Sequence, residues 1–297
     1  MKCVKTINTM DNITSGILSL DLALGKGLPR NKIIELSGPP DSSKSTFVFN
    51  LIKANDDCVI AYIDTDNRIN INYVIDAMDI DPDSFIVAQP HDAEQLLEVV
   101  SALLESHEID IIVIDSLASV VSYEEQQTSM SKASNNNTLS DTIKKLSSMI
   151  YRSNCALILI NQIRNDLKAK RYGAETTLAN RILNSYASIR LDIRKTNEIH
   201  KYDQIIGSKL KITITKNKVT PKKQQSVSIS HIFNKGLDTL SDLIDLACEA
   251  NIINKSAAWY SYDSIKVQGK QSLINCIEDN DDLLEELYDK VFKYYKL

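Results

Sequence analysis

Four short apolar runs organise the first two thirds of the chain, and each gives way at once to a polar residue or a glycine. Residues 33–36 lead into Ser37 and Gly38, residues 58–63 into Asp64, residues 109–114 into Asp115, and residues 156–160 into Asn161 and Gln162. Runs this short and this rich in β-branched residues predict strands buried on both faces, as in a parallel sheet. Helical patterns lie between them, clearest in residues 91–106, where Leu96, Val99, Val100, Leu103 and Leu104 recur at helical spacing. Strands alternating with helices predict an α/β sheet with a mostly parallel centre flanked by helices. Ligands of such sheets bind outside the carboxyl ends of the strands, so these polar residues are expected to converge on one site.

In residues 187–194 and 209–216 apolar and polar positions alternate, which predicts half-exposed strands extending the sheet. Past Gly236 the pattern turns helical. Leu240, Leu243, Ile244 and Ala247 form one face and Leu283, Leu284, Leu287, Val291 and Phe292 another, with Trp259 to Tyr262 between them. The expected division is a short segment at 1–12, a core at 13–235 and a small α/β domain at 236–297. A polar stretch at 126–138, containing Asn135, Asn136 and Asn137, predicts a mobile loop.

A chain of 297 residues is long enough for one large core and a small satellite domain. It reads as soluble: no stretch approaches the roughly 18 apolar residues of a membrane span. Residues 1–15 lack a basic end followed by an apolar run, so the cytoplasm is the expected location and no membrane partner is expected. The five cysteines, Cys3, Cys58, Cys155, Cys248 and Cys276, form no CxxC pair and read as reduced packing residues. The four histidines are equally scattered, which argues against a metal site or a histidine-based hydrolase. A net charge of -5 argues against coating nucleic acid by bulk attraction. It leaves room for a local basic groove, because lysine and arginine concentrate at 164–171 and 209–223, although solvated loops explain those clusters equally well.

The run Gly38, Pro39, Pro40, Asp41, Ser42, Ser43, Lys44, Ser45 follows a strand and opens a helix that starts with Thr46, the context a phosphate-binding P-loop requires. Backbone N–H groups there would cradle phosphate oxygens, Lys44 would neutralise the β and γ phosphates, and the Ser45 hydroxyl would ligate Mg2+. One position departs from the consensus: Ser43 stands where glycine lets the backbone approach phosphate closely. Asp115 has the placement of the carboxylate that holds magnesium through water. Asp64 and Asp66 end the neighbouring strand, where a carboxylate can orient or deprotonate an attacking water. Asn161 and Gln162 stand where an amide can sense the γ-phosphate; strand-end capping is the alternative.

Taken with this loop and these carboxylates, the sequence resembles the RecA family from about Ile13 to the C-terminus. The resemblance is carried by residues 14–25, the P-loop, and residues 61–64, 113–116, 160–164, 186–194, 216–218 and 258–262, in family order and at near-family spacing. It implies an ATP-dependent DNA recombinase that forms helical filaments on single-stranded DNA and pairs it with homologous duplex, with ATP and Mg2+ held between protomers. Carried over by position, Asp66 takes the place of the catalytic glutamate, Tyr73 that of the ring stacked on adenine, Asn70 that of an adenine-contacting aspartate, and Gln162 that of the γ-phosphate sensor. Lys216 and Lys218 match the lysines that reach a neighbour's ATP and stabilise transition-state charge in trans. DNA-binding positions are implied at Ser140, Lys144, Arg164, Lys168, Lys170, Arg171, Thr176 and Thr177, with DNA loops near 120–137 and 164–185.

Departures from the family cluster on ATP and DNA. Ser43 replaces glycine, Asp66 is one methylene shorter than glutamate, Asn70 replaces aspartate, Asn137 replaces an arginine, Ala179 and Asn180 replace paired glycines, and Ser185 replaces an aromatic residue. A loss of about 1 Å of reach costs on the order of a hundredfold in rate, so slow hydrolysis is expected. The segment before Ile13 reads as short for the arm with which family members clasp a neighbour, and the family's acidic tail, which restrains DNA binding, is expected to be absent. Weaker or different filament contacts and a freer DNA surface are therefore expected. Two alternatives stay open: a hydrolysis-deficient relative that modulates another recombinase, and a DNA-independent P-loop ATPase.

Overall fold

The structure, a computed structural model, describes residues 12–70, 72, 74–75, 81–117, 132–165, 175–177, 180–220 and 225–297. Its centre is β3 (Ile33–Gly38), every residue of which is buried. β7 (Ala156–Asn165) and β9 (Ile189–Lys201) flank it, both parallel to it. Beyond β7 the parallel strands β6 (Ile111–Asp115), β4 (Ile60–Asp64) and β5 (Phe85–Ala88) complete one half. Beyond β9 come antiparallel β10 (Gln204–Asn217), β11 (Ser226–Ile232) and β12 (Gly236–Leu237). β8 (Glu175–Thr177) pairs with the end of β7 and makes a ten-stranded sheet. A small ribbon, β1 (Asn12–Ile13) with β2 (Leu28–Pro29), lies apart.

Alternate residues of each central strand face opposite layers, which is why the runs are mostly apolar, with Glu35 of β3 the buried charge among them. Ile34, Leu36, Ile158, Ile160, Leu191 and Ile193 face Leu20 and Leu24 of α1 (Leu18–Leu24) and Phe47, Val48 and Leu51 of α2 (Lys44–Ala54). Ile33, Ile63, Ile112, Ile114, Leu157 and Leu159 face α3 (Ala93–Glu105), α4 (Lys132–Tyr151) and α5 (Asn180–Tyr186) through Leu96, Val100, Ile143, Leu146, Ile150 and Leu183. Asp92 caps α3 by accepting from the Gln95 N–H at 2.8 Å, and the Gln95 side chain accepts from the His91 N–H in return.

The chain then builds α6 (Thr239–Glu249), the antiparallel strands β13 (Asn254–Ser256), β14 (Trp259–Tyr262) and β15 (Ile265–Gln268), α7 (Lys270–Glu278) and α8 (Asp281–Tyr295). Leu243, Ile244, Tyr260, Leu273, Ile277, Leu287 and Val291 form a separate cluster there, joined by Leu18 of α1. The Ser19 N–H donates to Asp242 at 2.9 Å across the same contact. Among the described residues no helix is long and apolar enough to cross a membrane.

Three expectations need correction. The strand beginning at Ala156 does not stop at Asn161; it runs to Asn165, because β8 gives its last residues an antiparallel partner. Residues 132–138, expected in a mobile loop, open α4; residues 126–131 lie outside the described residues. Ile143, Leu146 and Ile150 anchor that helix on the sheet, and extension adds a hydrogen bond per residue, which offsets the propensity cost of asparagine, at most about 0.7 kcal/mol each. The alternating strands are also longer than predicted. The tip of the β9–β10 hairpin, at residues 201–205, is exposed, so no burial pattern marks it.

Candidate nucleotide site

β3 delivers Gly38 to the start of the loop, and α2 begins at Lys44. A Cβ at Gly38 would lie 2.4 Å from the Ile193 carbonyl oxygen and 2.5 Å from Ser42 Oγ, so a side chain there would push β3 away from β9. Asp41 and Ser43 sit in the left-handed region, with φ of 58° and 66°. For a residue other than glycine that conformation costs about 1–2 kcal/mol. The Ser43 hydroxyl meets His231 Nδ1 on β11 at 3.1 Å, and the His231 ring packs edge-on to Phe233 with centroids 5.6 Å apart. Burial holds the His231 imidazole below its ordinary 6.5, and Lys195 adds to the effect.

Lys44 Nζ donates to the carbonyls of Gly38 and Pro39 at 3.1 and 2.7 Å and to Ser42 Oγ at 3.3 Å. Burial lowers its affinity for a proton; Asp115, Asp41 and Asp192 pull in the opposite direction, so three carboxylates share the neighbourhood of this ammonium. Ser45 Oγ donates to Asp115 Oδ2 at 2.8 Å, and the Tyr62 hydroxyl donates to the same oxygen at 2.5 Å. Burial raises the Tyr62 pKa first, with the Asp115 charge second, so its proton stays on this bond. Hydroxyl and carboxylate are hard oxygen donors of the kind Mg2+ takes, and Lys44 stands beside them. The donor set therefore fits a nucleotide with its magnesium. Pro40 and Asp41 are exposed, Ser42 is buried, and Thr46 is half-buried in the first turn of α2.

The carboxyl ends of β4 and β6 lie side by side, with Asp64 paired to Asp115. Asp64 is buried and accepts from the Asp66 and Ile69 N–H groups at 3.2 and 2.9 Å and from Gln89 at 3.3 Å. Its carboxylate shapes the turn that carries Asp66. The Asp66 carboxyl is pushed up by burial, opposed by Arg68 at 3.7 Å, and pushed further by Asp115 and Asp64. Asn70 follows on the surface, and Tyr73 lies outside the described residues. Gln162 pairs with Gly38 across the β3–β7 ladder and is half-buried beside the loop. Asn161 points elsewhere: buried, it donates to Glu35 at 2.9 Å, and Arg190 Nε donates to the other oxygen of that buried carboxylate.

The RecA N-terminal domain model matches residues 1–238, and the RecA C-terminal domain model matches residues 241–296. The chain belongs to the RecA family. It is 36% identical over 299 residues to Protein RecA of Clostridioides difficile, covering 98% of this chain and 85% of that protein. It is 35% identical over 291 residues both to Protein RecA of Acinetobacter baylyi, at 95% and 82% coverage, and to Protein RecA of Geobacter metallireducens, at 96% and 85%. RecA-family proteins are DNA-dependent ATPases, and membership favours a recombinase over a modulator of one.

In this RecA-family chain the remaining sequence-predicted positions are dispersed. Lys216 Nζ donates to the Asn184 and Ala187 carbonyls at 2.5 and 2.6 Å, at the carboxyl end of α5. Burial, then Lys218 and Arg190, push its pKa down to about 8. Lys218 lines a cavity of about 310 Å³ with Arg30, Lys32, Asn154 and Ser188. That cavity adjoins the start of β3, roughly 20 Å of strand away from the P-loop at its end. On α4 Ser140 is half-buried and Lys144 exposed. Backbone pairing sets Arg164 opposite Thr176 and Thr177 opposite Ile163, while Lys168, Lys170 and Arg171 lie outside the described residues. Sequence reasoning missed Tyr62, Asp192, His231 and Phe233 as neighbours of the loop. Only Tyr62 carries a local signal, a hydroxyl that a buried strand must satisfy.

Proposed function

We propose that this chain is a recombinase that polymerises on single-stranded DNA, pairs it with homologous duplex and hydrolyses ATP at the loop formed by residues 38–45. The observation that carries this is the meeting of Lys44, Ser45 and Asp115, with hydroxyl and carboxylate 2.8 Å apart at the head of α2. Backbone N–H groups at that helix start and Lys44 hold the phosphates, and Thr46 and Asn70 border the nucleotide. Mg2+, when bound to Ser45 and Asp115, neutralises charge on the phosphate oxygens. Asp66 accepts the proton of the attacking water, and its upward shift brings it nearer the pH at which a base is most effective. Gln162, one strand across from Gly38, reads the γ-phosphate and passes its state along β7 to the paired ends of β7 and β8, where Arg164, Thr176 and Thr177 meet DNA together with Lys168, Lys170 and Arg171. Ser140 and Lys144 on α4 extend that surface.

Lys218, at the start of β3, is too far along that strand to serve this chain's own loop, which supports its action, with Lys216 two residues before it, on a neighbour's ATP and head-to-tail assembly. The proposed division sets a core at 13–235 against a small unit at 236–297, with Gly236 and Leu237 at the junction pairing onto the edge of the large sheet. The cytoplasm is the proposed location. The test is ATP hydrolysis with and without single-stranded DNA, with Lys44→Ala as the blank and filaments scored by electron microscopy in the same samples. DNA-stimulated turnover with filaments is expected. Turnover indifferent to DNA, or none above the blank, would refute the reading.

A further inference from the structure

Ser43 is the loop residue whose backbone suits its side chain least. At φ 66° it occupies a conformation that glycine adopts freely and serine leaves readily, immediately before the lysine that the loop exists to present. The restraint comes from outside the loop, through the 3.1 Å contact between Ser43 Oγ and His231 Nδ1. His231 is itself well placed to hold. β11 is registered against β10 with His231 opposite Ser208, and a Cβ on Gly207 would come within 2.2 Å of the His231 carbonyl oxygen, so the strands are pressed close here. Phe233 backs the imidazole edge-on. The ring is half-buried, and its Nδ1 meets the serine hydroxyl.

We propose that His231 is a positioning residue for the phosphate loop: its bond to the Ser43 hydroxyl holds the left-handed backbone before Lys44 and so keeps Lys44 and the first turn of α2 in place for a nucleotide. The proposal rests on reading the loop as a phosphate site. Serine at this position and histidine on β11 act as a pair, and each is explained by the other. The ring acts through Ser43 rather than on the substrate. The antiparallel half of the sheet is thereby tied to the nucleotide loop.

The experiment is a double-mutant cycle read as Mg·ATP affinity and as KM against kcat. His231→Ala is expected to weaken binding about fivefold to tenfold, appearing in KM with kcat within about twofold. His231→Asn, which puts an amide oxygen near the place of Nδ1, should recover most of the loss. In the Ser43→Gly background His231→Ala should change affinity by less than about twofold, because no hydroxyl remains to be held. An equal loss in both backgrounds assigns the ring to general packing and overturns the proposal, as does unchanged affinity in the natural background. Long-range 1H–15N spectra of the His231 ring give a readout that needs no nucleotide. Its nitrogen signals must move in Ser43→Gly, and signals that stay put overturn the contact. Failure of the unaltered chain to bind Mg·ATP would instead overturn the phosphate-site reading, while the ring signals still decide the contact.

Discussion

Replacing Arg190 by methionine while leaving Glu35 in place tests what holds the central strands in order beneath the nucleotide site. Glu35 is fully buried in β3, and its carboxylate accepts from Arg190 Nε on β9 and from Asn161 on β7 at 2.9 Å. The Arg190 side chain, 15% exposed, reaches on with its guanidinium to Asn180 Oδ1 at 2.7 Å and so ties α5 to the same point. Methionine keeps much of the side chain's volume and removes the cation in direct contact with the buried carboxylate, leaving it only the weaker, longer-range pull of Lys216; losing one partner of a buried pair costs about 3–5 kcal/mol. At about 2–4 °C per kcal/mol for a protein of this size, the midpoint should fall by roughly 6–20 °C. Glu35→Gln combined with Arg190→Met removes the stranded charge and keeps an oxygen for Asn161, so at least about 2 kcal/mol should return. Urea denaturation followed by far-ultraviolet circular dichroism measures both, provided the m-values agree. A cost under about 1 kcal/mol for Arg190→Met, or a double variant less stable than the single one, would refute the reasoning.

Asp21, fully buried, accepts from Thr14 Oγ1 at 2.5 Å and the Ser15 N–H at 2.9 Å, and burial holds its carboxyl up at about 6 against an ordinary 3.8. A raised carboxyl favours folding most below about pH 4 and loses that contribution as pH rises through 6, about 3 kcal/mol in all; Asp21→Asn should flatten the stability profile across that window, and parallel profiles would count against it. Tyr62→Phe removes one of the two O–H donors on Asp115 Oδ2 and should raise the Mg2+ concentration for half-maximal ATPase about threefold to tenfold without changing thermal stability much; an unchanged Mg2+ titration would dismiss the bond. Gly207→Ala places a Cβ 2.2 Å from the His231 carbonyl and should cost about 1–3 kcal/mol in a denaturation experiment, whereas a neutral result would mean that β10 and β11 separate easily.

How much was legible depended on whether burial left a mark on neighbouring residues. β3, β4 and β6 are buried on both faces, so their burial appears as short, mainly apolar runs interrupted only by Glu35, and their ends point to Gly38, Asp64 and Asp115. The hairpin tip near Tyr202 is exposed on both faces, and the start of α4 is polar, so neither leaves a periodicity to read. The loop and Lys44 are contiguous and readable. The role of Asp64 was not, because a carboxylate at a strand end looks the same whether it activates water or, as here, accepts N–H bonds from its own turn. His231 arrives beside Ser43 from 188 residues away through strand pairing, a distance over which local pattern carries no information.

The placement of the P-loop at one end of β3 and of Lys218 at the other gives the subunit a direction. If one end completes the site opened by the other end of the next copy, the contact is heterologous and repeats head to tail, and where its rotation closes no ring the polymer stays open. Each terminus of a polymer then carries an unfinished half of a site, and turnover counts junctions rather than subunits. Short oligomers would lag behind their subunit number, and a copy defective only at the Lys218 end would silence its neighbour's loop while leaving its own ready to work.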